Sequence, residues 1–127
     1  MGMEARVLTE NEENIKRFND FVANHPKGHV LQSWEWGKVK SVTGWQPIRI
    51  IVEENGEIQA AVSVLKRVLP LGLGCLFYSP RGPVIDMNNQ KAWQVLQSAV
   101  AAEGKKHKAV FWKVDPDIDK DFDIAAD

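Results

Sequence analysis

The residues of this chain whose types and spacing could do chemistry lie in one stiff turn, Tyr78-Ser79-Pro80-Arg81-Gly82-Pro83-Val84-Ile85-Asp86. Pro80 holds Ser79 extended, Pro83 does the same to Gly82, and each proline removes a backbone N–H. Such a loop cannot wrap phosphates in backbone amides as a glycine-rich loop does. Arg81 can instead offer a planar fork of donors to a phosphate or carboxylate, from a backbone with little entropy left to lose. The same residues equally fit a rigid surface turn with a solvated arginine. No nucleophilic constellation accompanies them: His25, His29 and His107 are scattered, and no serine or cysteine has a base close in sequence. Cys75 lies in the apolar run Cys75-Leu76-Phe77-Tyr78, which suits a buried, reduced thiol and a cytoplasmic setting.

The elements that must carry this turn read as strand, two helices, hairpin, strand, helix, strand. Ala5 to Leu8 is a short strand, and Thr9-Glu10-Asn11-Glu12 reads as a capping box opening a helix with Ile15, Phe18, Phe21 and Val22 on one stripe. That helix should stop before His25-Pro26. Ser33 is the expected N-cap of a second short helix through Trp36, Val39 and Lys40 to Gly44. Ile48, Ile50 and Val52 alternate, Asn55-Gly56 is a strong hairpin signal, and Ile58 to Val68 returns as a long strand. Pro70-Leu71-Gly72-Leu73-Gly74 then leads into Cys75 to Tyr78. After the turn, Asp86 or Asn88 is expected to cap a helix with the broad apolar face Ala92, Trp93, Val95, Leu96, Ala99, Val100 and Ala102. Gly104 and the basic run Lys105-Lys106-His107-Lys108 should close it before a last strand, Ala109 to Val114. Strand, crossover helix and strand in succession imply a right-handed parallel pair.

With 127 residues the chain has enough surface to bury for one core and too little for two domains. Sixteen Lys and Arg stand against seventeen Asp and Glu, so no global field recruits nucleic acid or anionic membrane, and any such contact must be a local patch. No apolar window approaches a membrane span.

Gln32-Ser33-x-x-Trp36-x-Lys38-Val39-Lys40, then Gly44-Trp45, the hairpin, Tyr78-x-Pro80-Arg81-Gly82-Pro83-Val84-x-Asp86 and the ending Lys113-Val114-Asp115-Pro116 together resemble the FemABX family. In order and spacing they cover nearly the whole chain. The family consists of cytoplasmic aminoacyltransferases that move amino acids from aminoacyl-tRNA to the stem peptide of a peptidoglycan precursor, and its members have two GNAT-like subdomains. The resemblance implies an α+β fold: a GNAT-like mixed sheet with an antiparallel hairpin and a strand-helix-strand parallel pair, flanked by helices. It covers only the first subdomain, so residues 1–127 are expected to be one partial domain, C-terminally truncated, with the second absent. An unpaired final strand would then favour a homodimer through that edge.

For particular positions the resemblance implies that Lys40 contacts the precursor's phosphates, with Lys38 and Trp36 beside it. Arg81 and Asp86 lie in the family's recognisable turn, and Asp115 matches a carboxylate near the acceptor end, our candidate catalytic residue. Val110 stands where a characterised pattern of the family has a tyrosine. The implied partners are a UDP- or lipid-linked muramyl pentapeptide and, through the absent subdomain, aminoacyl-tRNA as co-substrate. No metal or other cofactor is called for, because an aminoacyl ester is already activated and its attack by an amine needs positioning and charge stabilisation. The implied location is the cytoplasm, with peripheral contact at the inner membrane face.

Three other readings compete on the residues. An acetyl-CoA-dependent GNAT acetyltransferase shares the strand order but needs free amides where Pro80 and Pro83 stand. Calcium binding by Asp115-Pro116-Asp117-Ile118-Asp119-Lys120-Asp121 meets Lys120 in place of the required glycine and Ala126 in place of the bidentate glutamate. A non-catalytic module could use Lys105 to Lys108 on RNA or a membrane surface, though four charges at a helix end are ordinarily solvated, and interleaved aromatics are missing.

Overall fold

A computed structural model describes residues 2–116. The elements follow in the order β1 (Glu4–Val7), α1 (Glu12–Asn24), a 3-10 turn (Val30–Gln32), α2 (Trp34–Ser41), β2 (Gln46–Glu54), β3 (Glu57–Val68), a second 3-10 turn (Pro70–Gly72), β4 (Cys75–Arg81), β5 (Val84–Ile85), α3 (Gln90–His107) and β6 (Ala109–Pro116). The strands form one mixed sheet in the order β1-β2-β3-β4-β6, with β5 also paired to β3. All pairs are antiparallel except β4 with β6, which α3 connects as a crossover. The expected mixed sheet is therefore present, and β6 is its last strand among the described residues.

Both faces of the sheet are covered, which explains why four successive residues of β2, Arg49 to Val52, are buried. Ile50 and Val52 face α3, packing with Val62, Val64 and Phe77 against Ala92, Leu96 and Val100. Ile51 faces the other way, into a core with Leu8, Phe18, Val22, Trp34, Ala61 and Val84. There the Phe18 and Trp34 rings meet edge to face, 5.8 Å apart, tying α1 to α2. The stripe expected on α1 is thus the packed one. Asn55 and Gly56 take positive φ, as the two central residues of a type I′ hairpin turn must.

Four helix boundaries differ from expectation. Asn11, not the Thr9–Glu12 box, caps α1: Leu8 N–H still bonds the Arg49 carbonyl, so residues 9 and 10 are spent in turning the chain, and Asn11 Oδ1 accepts from Asn14 N. α2 ends at Ser41, short of Gly44. Asn89, rather than Asp86 or Asn88, caps α3, because Asp86 Oδ1 is occupied by the Asn88 N–H in the preceding turn. α3 also runs through Gly104 and the basic residues after it, and it ends in left-handed Lys108.

His25, just past α1, accepts the Lys27 N–H at Nδ1 and so must be neutral there. Burial holds its pKa below the usual 6.5, with Lys27 adding to the shift and Asp86 opposing it. Below pH 6.5 the unfolded chain takes up this proton before the folded one, so this contribution to stability declines as the pH falls. Urea unfolding at neutral and mildly acidic pH should show the decline, and a His25→Gln variant should flatten it; an identical slope in the variant would refute the assignment.

Candidate functional site

The opening turn sits where the sheet splits. β4 pairs with β3 only from Cys75 to Tyr78 and then departs, and β5 rejoins β3 at Ala60 and Ala61. The side-chain amide of Gln32 enters the gap. Its Nε2 donates to the Ser63 carbonyl at 3.2 Å and the Pro80 carbonyl at 2.9 Å, while Oε1 accepts from Ser63 N at 2.8 Å. Gln32 is wholly buried, and its carboxamide stands in for the missing strand. Pro80 fits the same logic: its carbonyl faces the gap, where its N–H would also point, so no ladder bond is lost. The Gly82–Pro83 peptide is cis, and Gly82 lies flat against Gln32.

The sequence candidates form two groups, with two residues apart from both. Arg81 and Asp115 are brought together at the C-terminal ends of the parallel pair, where Pro80 is in register with Asp115 and Arg81 with Pro116. Asp115 is exposed, and Arg81 has φ 54, a left-handed conformation uncommon for a side-chain-bearing residue. Trp36 and Lys40 form the second group on α2, with Lys40 Nζ 5.8 Å from the Trp36 ring centroid. Lys38 points elsewhere, to Glu10 at 3.9 Å. Asp86 is exposed and works within its own turn.

Sequence reasoning passed over the surface that follows Lys40. Trp45 N–H donates to the Lys40 carbonyl, and the Trp45 ring begins a ladder across the α2 side of the sheet. The Arg67 guanidinium lies 5.1 Å from that ring, the Trp45 and Tyr78 rings are 6.3 Å apart, and Lys113 Nζ is 5.4 Å from Tyr78. Register accounts for the convergence: Leu65 faces Tyr78 across β3–β4, which puts Arg67 on the same face, and Tyr78 faces Lys113 across β4–β6. The strand period of two, applied outward from Tyr78, would have found both cations. Cations alternating with rings on one face suit a ligand that is anionic and extended.

Among the described residues no group of His, Cys, Asp and Glu could hold a metal ion. The rival calcium loop beginning at Asp115 lies largely outside the described residues. A cavity of about 560 Å³ is found away from these groups, between β1 and α3, lined mainly by apolar side chains such as Ala5, Val95 and Ala99. Among the described residues no helix is long and apolar enough to cross a membrane.

The sequence pattern of the FemAB family matches residues 12–124. A lipid II:glycine glycyltransferase of Staphylococcus aureus (strain bovine RF122 / ET3-1) is 35% identical over 119 residues, covering 94% of this chain and 27% of that enzyme. The crystal structure of FemX superposes with a TM-score of 0.83 at 33% identity, covering 93% of this chain and 28% of that one. A GNAT family acetyltransferase of Staphylococcus aureus subsp. aureus USA300_TCH1516 superposes with a TM-score of 0.59 at 10% identity, covering 93% and 89%, a likeness of fold alone. The chain therefore spans about a quarter of the length of the relatives it matches, on a GNAT-like mixed sheet. With the match running from Glu12 almost to its end, the chain belongs to the FemAB family.

Proposed function

We propose that this chain is the precursor-binding part of an aminoacyltransferase that adds an amino acid, carried by aminoacyl-tRNA, to the stem peptide of a peptidoglycan precursor. The observation that carries the reading is the run of cation–ring contacts from Lys40 and Trp36 through Arg67, Trp45 and Tyr78 to Lys113. A muramyl pentapeptide linked to UDP or to a lipid offers a diphosphate for such a surface and is long enough to continue along the sheet. Lys40 is our choice for the phosphate contact. Asp115, exposed beside Arg81, is our choice for the acceptor end, where a carboxylate could take the proton from the attacking amine. The relatives' lipid II supports a lipid-linked acceptor, which would place the work in the cytoplasm at the inner membrane face. We expect donor recognition to need more than this chain, and the chain alone to bind without transferring.

The acetyl-CoA reading fits the turn before α3 poorly. Pro80 and Pro83 supply no N–H, the Asp86 carboxylate takes the Asn88 N–H, and the Asn89 side chain takes that of Ala92. A pyrophosphate there would meet a negative charge in place of free amides.

Calorimetric titration tests the proposal. The chain should bind UDP-linked muramyl pentapeptide, and Lys40→Ala should weaken binding by about tenfold, the low end for a charge-assisted contact because Lys40 is only half-buried. Acetyl-CoA binding with the muramyl ligand silent, or turnover by the chain with aminoacyl-tRNA and precursor, would overturn it.

A further inference from the structure

We propose that the loop between β3 and β4, together with the basic end of α3, is a docking surface for an anionic lipid bilayer. Val68, Leu71 and Leu73 fall within six residues and are 62%, 95% and 62% exposed. Single exposed apolar residues are ordinary, but Leu71 also adopts φ 61. A left-handed leucine pays a conformational cost that glycine or asparagine would escape, and no contact inside the fold rewards it. The loop is nevertheless closed: Leu69 N donates to the Gly74 carbonyl at 2.9 Å and Leu73 N to the Pro70 carbonyl at 3.3 Å. The leucines are therefore presented outward by a formed turn.

The charge beside this loop identifies its partner. Cys75 N donates to the Lys108 carbonyl, and Gly74 packs so closely on that carbonyl that a Cβ would stand 2.3 Å from it. The last turn of α3, carrying Lys105, Lys106 and Lys108, is thus fixed against the base of the loop. Lys66 and Arg67 flank it from the end of β3, with Lys66 Nζ 3.0 Å from His107 Nδ1. Glu103 is turned to His107 at 3.6 Å, and among the described residues none of these five cations pairs with a carboxylate. The chain as a whole carries a formal charge of -1. Acidic residues instead gather around the Asn55–Gly56 hairpin at Glu53, Glu54 and Glu57. Compensation of the α3 dipole explains lysines at a helix end but not an exposed left-handed leucine next to them. Aliphatic side chains give nucleic acid bases no ring to stack on, whereas leucines rimmed by lysines match the acyl boundary and anionic headgroups of a bilayer.

The inference shares with the proposed function the lipid-linked form of the acceptor and the side chain of Arg67, but it is tested on vesicles that contain no precursor and with variants that leave Arg67 in place, so either can fail alone. The chain is sedimented with phosphatidylcholine vesicles with and without about one-third phosphatidylglycerol, at low and high salt. Binding is expected only with the anionic lipid. It should fall by about tenfold or more in Leu71→Glu/Leu73→Glu, and by about fivefold for each charge removed in Lys105→Gln/Lys106→Gln. The charge-matched control Lys16→Gln/Lys91→Gln should bind as the parent does. All these positions are exposed, so circular dichroism should show unchanged folding. Absence of anionic-vesicle binding, equal loss in the control, or a vesicle-free dimer abolished by Leu71→Glu/Leu73→Glu without any lipid binding would overturn the proposal.

Discussion

Replacing Gly82 by alanine is expected to destabilise the chain by about 2 to 3 kcal/mol, and to cost far less once Gln32 is already alanine. The added Cβ would lie 2.4, 2.5 and 2.7 Å from Cδ, Oε1 and Nε2 of Gln32. The end of a flexible side chain usually yields to such an intrusion. This one is wholly buried and holds three hydrogen bonds to Ser63 and Pro80, so yielding leaves buried backbone groups unmet. Each unmet group is worth roughly 1 to 3 kcal/mol, and more than one such group outweighs the roughly 0.4 to 1 kcal/mol an alanine gains over glycine through the unfolded chain. Gln32→Ala alone should cost about 3 kcal/mol for the same reason, while the double variant should be close to Gln32→Ala, its new methyl occupying vacated space. Urea denaturation of the four proteins measures the coupling. Additivity of the two single effects would show that Gln32 does not hold the split in the sheet.

Gln32 also shows where reading the sequence stops. Its place in the pattern Gln32-Ser33-x-x-Trp36 marked a family, but nothing local says that a glutamine will replace a strand. That requires knowing both that β4 leaves β3 after Tyr78 and that Gln32 then meets Ser63, 31 positions away. The hairpin, α1's buried stripe, the Ser33 cap and the α3 crossover were legible because each is set by local period or turn chemistry. The two missed helix starts differ in kind: Asn11 caps α1 because the Leu8 N–H is held by the distant Arg49 carbonyl, whereas Asn89 caps α3 because the nearby Asn88 N–H occupies the Asp86 carboxylate.

The candidate site divides along the same line. Trp36 with Lys40 is a helix pair four apart, and a helical reading suffices to bring them together. Arg81 with Asp115 needed the parallel pairing of β4 and β6, which the strand-helix-strand order did imply. Arg67 and Lys113 could be found only by carrying register across two strand pairs from Tyr78, so composition left them looking like ordinary surface charges.

Arg49→Ala should cost about 3 kcal/mol and disturb α2, whereas Arg49→Met should stay within about 1 kcal/mol of the parent. Arg49 projects from β2 beneath α2, where its Nη2 donates to the Trp34 carbonyl at 2.8 Å and its guanidinium lies 4.1 Å from the Trp34 ring centroid. Gly37 makes room for it, since a Cβ there would be 2.9 Å from Nη2. Burial pushes the Arg49 pKa down to about 10, with Glu10 and Glu35 opposing the shift. At neutral pH the group is charged in both states, so the unfavourable burial is fully present; it would be relieved only as the pH rises through about 10, where the folded group loses its proton before the unfolded one. Alanine removes the charge but also the side chain that fills the space under a helix with no Cβ of its own at Gly37. Methionine removes the charge and keeps most of the volume, so relief of desolvation offsets the lost hydrogen bond. A buried arginine whose Nε lacks a partner among the described residues invites a ligand-binding role. The two variants decide that question. If Arg49 serves only to seat α2, Arg49→Met keeps muramyl-ligand affinity while Lys40→Ala loses it; a stable Arg49→Met that binds tenfold more weakly would make Arg49 a ligand contact instead.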